Sequence, residues 1–105
     1  MADKITKLPE PTSSAWTASD MQSGNLRFTR YGKLRILTFD DVKVASDGSL
    51  TINTMSDDKP VNFTAGVVAG GGISYAVWLR TNGTWGHSPF TANVVVNGQV
   101  VWCVS

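Results

Sequence analysis

The sequence predicts an all-β fold class, an antiparallel β-sandwich or barrel of jelly-roll-like form with about eight short strands. From Asn25 onward, short runs rich in Val, Ile, Thr and aromatic residues alternate with period 2. Turn signals separate these runs roughly every eight to twelve residues, and no stretch has the apolar period of an amphipathic helix. The candidate strands are Leu26–Arg30, Lys33–Val44, Ser49–Met55, Val61–Val68, Ile73–Thr81, Thr84–Ser88, Phe90–Val96 and Gln99–Val104.

Length and composition indicate one domain with its own core. The chain has 105 residues, of which 42% are hydrophobic and 16% are charged. A domain of this size buries roughly two thirds of its unfolded surface. Residues 1–24 show no sustained period and contain Pro9 and Pro11, so we expect an N-terminal neck or linker there and the β-sandwich domain over residues 25–105.

The first hairpin can be given a register from its side chains. A three-residue loop ending at Gly32 would pair Phe28 with Leu34 and Leu26 with Ile36, which places the apolar side chains on one face. A two-residue loop ending at the same glycine would mix polar and apolar partners on each face. We therefore predict the three-residue loop.

A middle hairpin is predicted at Asn82-Gly83, which favours a two-residue turn. That turn would pair Arg80 with Trp85 and Trp78 with His87, and the four side chains would share one face. We call Trp78, Arg80, Trp85 and His87 the hairpin patch. Flat indole faces shield the C–H face of a sugar ring from water, and Arg and His donors bind its hydroxyls, so the patch predicts saccharide binding.

A structural interpretation of the same residues stands beside this one. Arg80 would only stack on Trp85, and Trp78 would belong to the core. Gly86 and Pro89 would introduce a bulge that moves His87 off the face.

The last hairpin is predicted at Asn97-Gly98, a strong signal for a type I′ turn. Its two strands would be apolar on both faces, whereas a sheet of a sandwich has one inward face. The second apolar face then needs a packing partner, and we expect this to be another copy of the chain. The alternative is an N-terminal segment that folds back over this face. The side chains expected at this oligomer interface are Val95, Val100, Trp102 and Val104.

Charge is unevenly distributed along the chain. The net charge is +1, and Arg80 is the only Asp, Glu, Lys or Arg after residue 60. The near-neutral total argues against nucleic-acid binding, although the basic residues of the first hairpin would suit it. The neutral second half indicates contact with partner subunits or with a neutral polyhydroxyl ligand. No apolar run resembles a signal peptide or a membrane span, so we expect synthesis in a cytoplasm and no membrane insertion.

The residues give little support to a catalytic function or to cofactor binding. His87 has no nearby carboxylate to form a nucleophilic triad. Asp40 and Asp41 would point to opposite faces of a strand, and Asp57-Asp58 reads as a solvated turn, so a glycosidase pair is not expected. One histidine, a single Cys103 and scattered aspartates predict no metal site, and the glycine-rich segment lacks a nucleotide-binding pattern, so no cofactor is expected.

Two stretches resemble a known family. "GNLRFTRYGKLRILTF" and the closing "ANVVVNGQVVWCVS" are similar to the C-terminal head domains of bacteriophage tail-fibre and receptor-binding proteins. The resemblance runs from Asn25 onward. It implies a β-sandwich or barrel head, commonly a homotrimer, that sits on the phage tail of a virion and binds host-surface polysaccharide without catalysis. It assigns the sugar contact to the hairpin patch. The alternative is a structural virion or baseplate protein that contacts only other phage tail proteins.

Overall fold

The computed structural model describes residues 10–44 and 48–105 and confirms the all-β class. The described residues contain no helix. The strands are β1 Thr12–Trp16, β2 Ala18–Ser19, β3 Met21–Tyr31, β4 Leu34–Val44, β5 Thr51–Ile52, β6 Thr64–Gly70, β7 Ile73–Leu79, β8 Trp85–His87 and β9 Val95–Cys103.

Seven strands form one curled antiparallel sheet in the order β1-β3-β4-β9-β6-β7-β8, and β2 pairs with β5 in a small second sheet. The segment 50–55 bridges the two edges of the large sheet. Asn53 N donates to Thr17 O at 3.0 Å beside β1, and Met55 N donates to Gly83 O at 2.8 Å beside β8. The fold is therefore barrel-like, with the bridging segment between the first and last strands.

One face of the curled sheet, which we call the inner face, carries the core. Alternate residues of the long strands point to it and are almost completely buried, because side chains along a strand alternate between faces. Phe28 of β3 stacks on Trp102 of β9 with ring centroids 5.9 Å apart. Each large apolar side chain buried in this way stabilises the fold by about 1.5–3 kcal/mol. The inner-face residues include Leu26, Phe28, Leu37, Phe39, Val68, Val77, Leu79, Val96, Val100 and Trp102.

The register predicted for the first hairpin is wrong. Tyr31 pairs with Leu34 and Phe28 with Leu37, so the loop has two residues, Gly32 and Lys33. Gly32 has φ 60°, the left-handed conformation that a type II′ turn requires at its first position. This register still collects apolar side chains on the inner face, but it also puts two arginines there, which the sequence pattern had not favoured.

The predicted hairpin at Asn97-Gly98 is also wrong, because β9 runs through both residues as a single central strand. Gly98 pairs with Phe39 of β4 on one side and with Val68 of β6 on the other. A Cβ at residue 98 would lie 2.7 Å from the Val68 Cα, so glycine at this position allows β9 and β6 to approach each other closely. Pairing on both edges has overridden the local turn preference.

The N-terminal residues 12–24 contribute strands to both sheets and do not form a separate neck. They contain β1, β2 and the start of β3, so the predicted boundary at Asn25 falls inside a strand. Trp16 fixes this segment, because its ring lies 5.3 Å from that of Phe28 and its Nε1 donates to Asn53 O at 3.0 Å. Residues 1–9 of the predicted neck lie outside the described residues.

Candidate functional site

The middle hairpin has a register one residue away from the prediction. Leu79 pairs with Trp85, Trp78 with Gly86 and Val77 with His87. The shift arises because the turn is not a two-residue turn: Arg80 N donates to Thr84 O at 2.9 Å, which closes a longer loop. Directly paired residues share a face, so the four side chains of the hairpin patch are divided between the two faces of the sheet.

Trp85 lies on the inner face with the core. Its paired residue Leu79 is fully buried, and its ring packs edge-on against Trp102 with centroids 5.4 Å apart. The Trp85 indole Nε1 is buried without a hydrogen-bond partner among the described residues. This side chain contributes to packing and closes the β8 edge of the core.

His87 also lies on the inner face, where it contacts the bridging segment. Its Nε2 lies 2.9 Å from Leu50 O, and its Nδ1 lies 2.7 Å from Ser88 O. The imidazole stacks on Phe90 with centroids 4.3 Å apart. A neutral imidazole has one N–H, so it donates to one of the two carbonyls at a time. These contacts give His87 a structural role in joining β8 to residue 50.

Trp78 is the member of the patch that lies on the other side, the outer face, and it is half-buried. Its indole occupies the space over its partner Gly86, where a Cβ would lie 2.6 Å from Cε2 of the ring. The other paired neighbour is Ala65 of β6. Small residues on both sides therefore leave the indole accessible.

Arg80 is exposed two residues beyond Trp78, on the same side of the chain by strand alternation. No hydrogen bond or ion pair joins its guanidinium to another residue of the described ranges 10–44 and 48–105. Trp78 and Arg80 thus stay together on the outer face, while Trp85 and His87 lie inside.

Apart from Arg80, the outer face around Trp78 has no charged side chain on β6 to β9, and it contains exposed aliphatic side chains. No Asp, Glu, Lys or Arg occurs within β6, β7, β8 or β9. Val67 of β6 and Val101 of β9 expose 60% and 43% of their surface, and Val67 pairs with Ala76 of β7. This face is suited to contact with uncharged partners.

The predicted interface residues are divided in the same way. In β9, Val100 and Trp102 are buried in the core of the chain and Val95 is 40% exposed, whereas Val104, just after the strand, is half-buried. A neighbouring copy could reach Val95 and Val104 but not the other two. The doubly apolar ribbon on which this prediction depended does not exist.

A charged cluster that the sequence reasoning missed lies on the inner side of the first hairpin. Asp58, only 6% exposed, accepts hydrogen bonds from Arg30 Nη2 and Arg35 Nε, both at 2.7 Å. Its backbone O accepts from Trp102 Nε1 at 2.8 Å. Asp58 is therefore not in a solvated turn as predicted. The observed hairpin register places both arginines on the inner side. Two inward arginines indicate that a buried carboxylate lies nearby.

The electrostatics of this cluster favour the charged forms. The hydrogen bond from Arg30 is the main cause that lowers the pKa of Asp58 below its ordinary value of 3.8; burial opposes it, and Arg35 adds to it. The same hydrogen bond raises the pKa of Arg30. Arg30 and Arg35 both bind Asp58, so the cluster anchors the loop before β6 to the first hairpin.

The other aspartate pair marks a bulge in β4. Asp41, with φ 51°, lies in the irregularity between Phe39 and Val42. Its backbone N donates to Asn97 Oδ1 at 2.8 Å, and Asn97 Nδ2 donates to Asp41 Oδ1 at 3.1 Å. Among the described residues, no three His, Cys, Asp or Glu side chains are grouped to hold a metal ion.

No family model matches the chain, and no curated protein matches it. No helix in the described part of the chain is long and apolar enough to span a membrane.

Proposed function

We propose that this protein is a phage tail adhesion head that binds host cell-surface saccharide without catalysis. The observation that carries the proposal is the position of Trp78, whose indole lies over Gly86 on the outer face of the sheet. An accessible indole with small neighbours provides a flat apolar surface for the C–H face of a pyranose ring.

The contacts around Trp78 support binding. Arg80 has an exposed guanidinium with no partner in the described ranges, and its five N–H donors can bind sugar hydroxyls. Strands β6 to β9 contain no Asp or Glu, so no carboxylate pair of the kind that glycosidases use stands on these strands. Trp78 would hold the ring, and Arg80 would orient it.

Assembly into a homo-oligomer, a trimer by the family resemblance, is part of the proposal. Val67, Val95 and Val101 point outward from neighbouring central strands and expose 60%, 40% and 43% of their surface. Burying them against a second copy or another tail protein would remove apolar surface from water. The same observation favours the second candidate function, a structural virion or baseplate protein whose outer face makes subunit contacts only.

A glycan array, followed by titration with host wall fragments, tests the adhesion role. We expect binding that Trp78→Ala abolishes and that Val61→Ala, a truncation of an exposed side chain outside the proposed subunit contact, leaves unchanged. Binding that survives Trp78→Ala, or no binding to any glycan, would contradict the proposal.

Light scattering on the same proteins separates the two candidates. We expect an oligomeric mass that falls to the monomer in the double variant Val67→Ser/Val101→Ser. A protein that oligomerises but binds no glycan would support the structural role. A monomeric wild-type mass would contradict the subunit contacts proposed for both.

A further inference from the structure

A groove of about 280 Å³ lies between β1 and β3, far along the sheet from Trp78. The groove borders Trp16 and Leu26, the last residue pair between β1 and β3. Beyond this pair, β3 pairs with β4 alone. Its size is close to the lower end of the range for small-molecule sites, roughly 300–1,000 Å³. The residues that line it are Ser13, Ser14, Ala15, Asn25, Leu26 and Arg27.

Two polar side chains of this groove, those of Arg27 and Asn25, are free to bind a ligand. Arg27 and Asn25 are exposed, and neither side chain has a hydrogen bond or ion pair with any residue in the described ranges. Ser14 pairs with Phe28 and so belongs to the opposite face of the sheet, whereas Ser13 lies on the face of Arg27, with its Oγ 2.9 Å from Thr29 Oγ1. This contrasts with Arg30 and Arg35, whose guanidinium groups are both held by Asp58.

The charge of the groove is positive. Arg27 is the only charged residue in its lining, and Asp40, which pairs with Asn25 across the sheet, is not part of that lining. A guanidinium matches a carboxylate with two parallel hydrogen bonds, and these charge-assisted bonds are stronger than bonds to a hydroxyl. The Ser13 hydroxyl and the Asn25 amide are suited to the remaining hydroxyls of a sugar.

We infer that the groove is a second carbohydrate subsite, which binds a carboxylate-bearing sugar such as a uronic acid through Arg27. The inference rests on the proposed saccharide adhesion and adds an acidic component to the ligand. Four strand spacings of about 4.8 Å separate β3 from β7 along the sheet, so one sugar ring cannot contact both Arg27 and Trp78.

Matched ligands and matched variants test the inference. The probes are an oligogalacturonate and its fully methyl-esterified form, in which a methyl ester replaces each charged carboxylate and the sugar hydroxyls are the same. Calorimetric titration of the full chain should show binding of the acid form that weakens about ten- to hundredfold in Arg27→Gln and in the methyl ester. Lys33→Gln, which removes one positive charge away from the groove, should leave the affinity unchanged.

The outcomes distinguish this inference from the proposed function. Glycan binding that depends on Trp78 but is equal for the acid and the ester, or unchanged in Arg27→Gln, would overturn the acidic subsite and leave the adhesion role standing. No binding of any saccharide would overturn both. Acid-selective binding that depends on Arg27 and persists in Trp78→Ala would support the groove and overturn the Trp78 site. A poly-glutamate peptide that binds as tightly as the oligogalacturonate would overturn the assignment to a sugar.

Discussion

Asp58 Oδ1 accepts a hydrogen bond from Arg35 Nε at 2.7 Å on the inner side of the first hairpin. Arg30 binds the same carboxylate through Nε at 3.2 Å and Nη2 at 2.7 Å. The two arginines differ in environment, because 13% of the Arg35 side chain is exposed but 50% of the Arg30 side chain is. One carboxylate thus ties the loop before β6 to both strands of the hairpin.

Replacing each arginine should show this difference in the free energy of unfolding. We expect Arg35→Gln to lower it by about 2–3 kcal/mol, because a shielded charge-assisted hydrogen bond to a buried carboxylate is lost. The hydrogen bond from Arg30 is the main cause of the lowered Asp58 pKa, but half of this side chain is exposed and water screens an exposed pair, so Arg30→Gln should lower the free energy of unfolding by less than about 1 kcal/mol. Urea denaturation measures both values. Equal losses would show that solvent exposure does not determine how much each arginine stabilises the protein.

The stability of the protein should fall in acid through Asp58. Its pKa is lowered in the folded state by hydrogen bonds from Arg30 and Arg35, so its contribution is fully present above the ordinary value of 3.8 and is lost as the pH falls below it. We expect the free energy of unfolding to decrease from about pH 4 downward. In Asp58→Asn this decrease should be smaller over the same pH range, and an unchanged slope would assign the acid sensitivity to other carboxylates.

His87 should matter for stability and not for sugar binding, contrary to its assignment from the sequence. His87→Phe keeps a ring that can stack on Phe90 but removes the two nitrogens that lie 2.9 Å from Leu50 O and 2.7 Å from Ser88 O. We expect a loss of about 1–2 kcal/mol in the free energy of unfolding, the usual effect of removing a partner from a partly buried acceptor. Glycan affinity should be unchanged, and a variant that folds with wild-type stability but loses glycan binding would restore the original assignment.

The fold class could be predicted because it depends on local pattern. Period-2 runs of Val, Ile and aromatic residues mark strands wherever they pair, and most of the predicted runs became strands of the sheet. The hairpin registers could not be predicted in the same way. Asn97-Gly98 has the chemistry of a turn, but β4 and β6 pair with it on both edges, and no local signal reveals a long-range partner.

The candidate site depended on a register and therefore inherited its error. A one-residue slip in a strand pair moves side chains to the opposite face. The slip at Arg80–Thr84 placed Trp85 and His87 inside and left Trp78 outside. Asp58 was missed for the same reason, since the two arginines that bind it share the inner side only in the observed register of the first hairpin.

Gly86 should be required for the position of Trp78, and a double-mutant cycle tests this. A methyl group at residue 86 would lie 2.6 Å from Cε2 of the indole, so Gly86→Ala must displace the ring or the strand. We expect a loss of about 1–3 kcal/mol from overpacking, together with weaker glycan binding. In a Trp78→Ala background the added methyl group meets no ring, so Gly86→Ala should cost little there, and the coupling energy should approach the single-mutant loss. Equal losses in both backgrounds would mean that residue 86 must be glycine for the backbone of β8 and not for the indole. The proposed sugar-binding position of Trp78 would then lack this support.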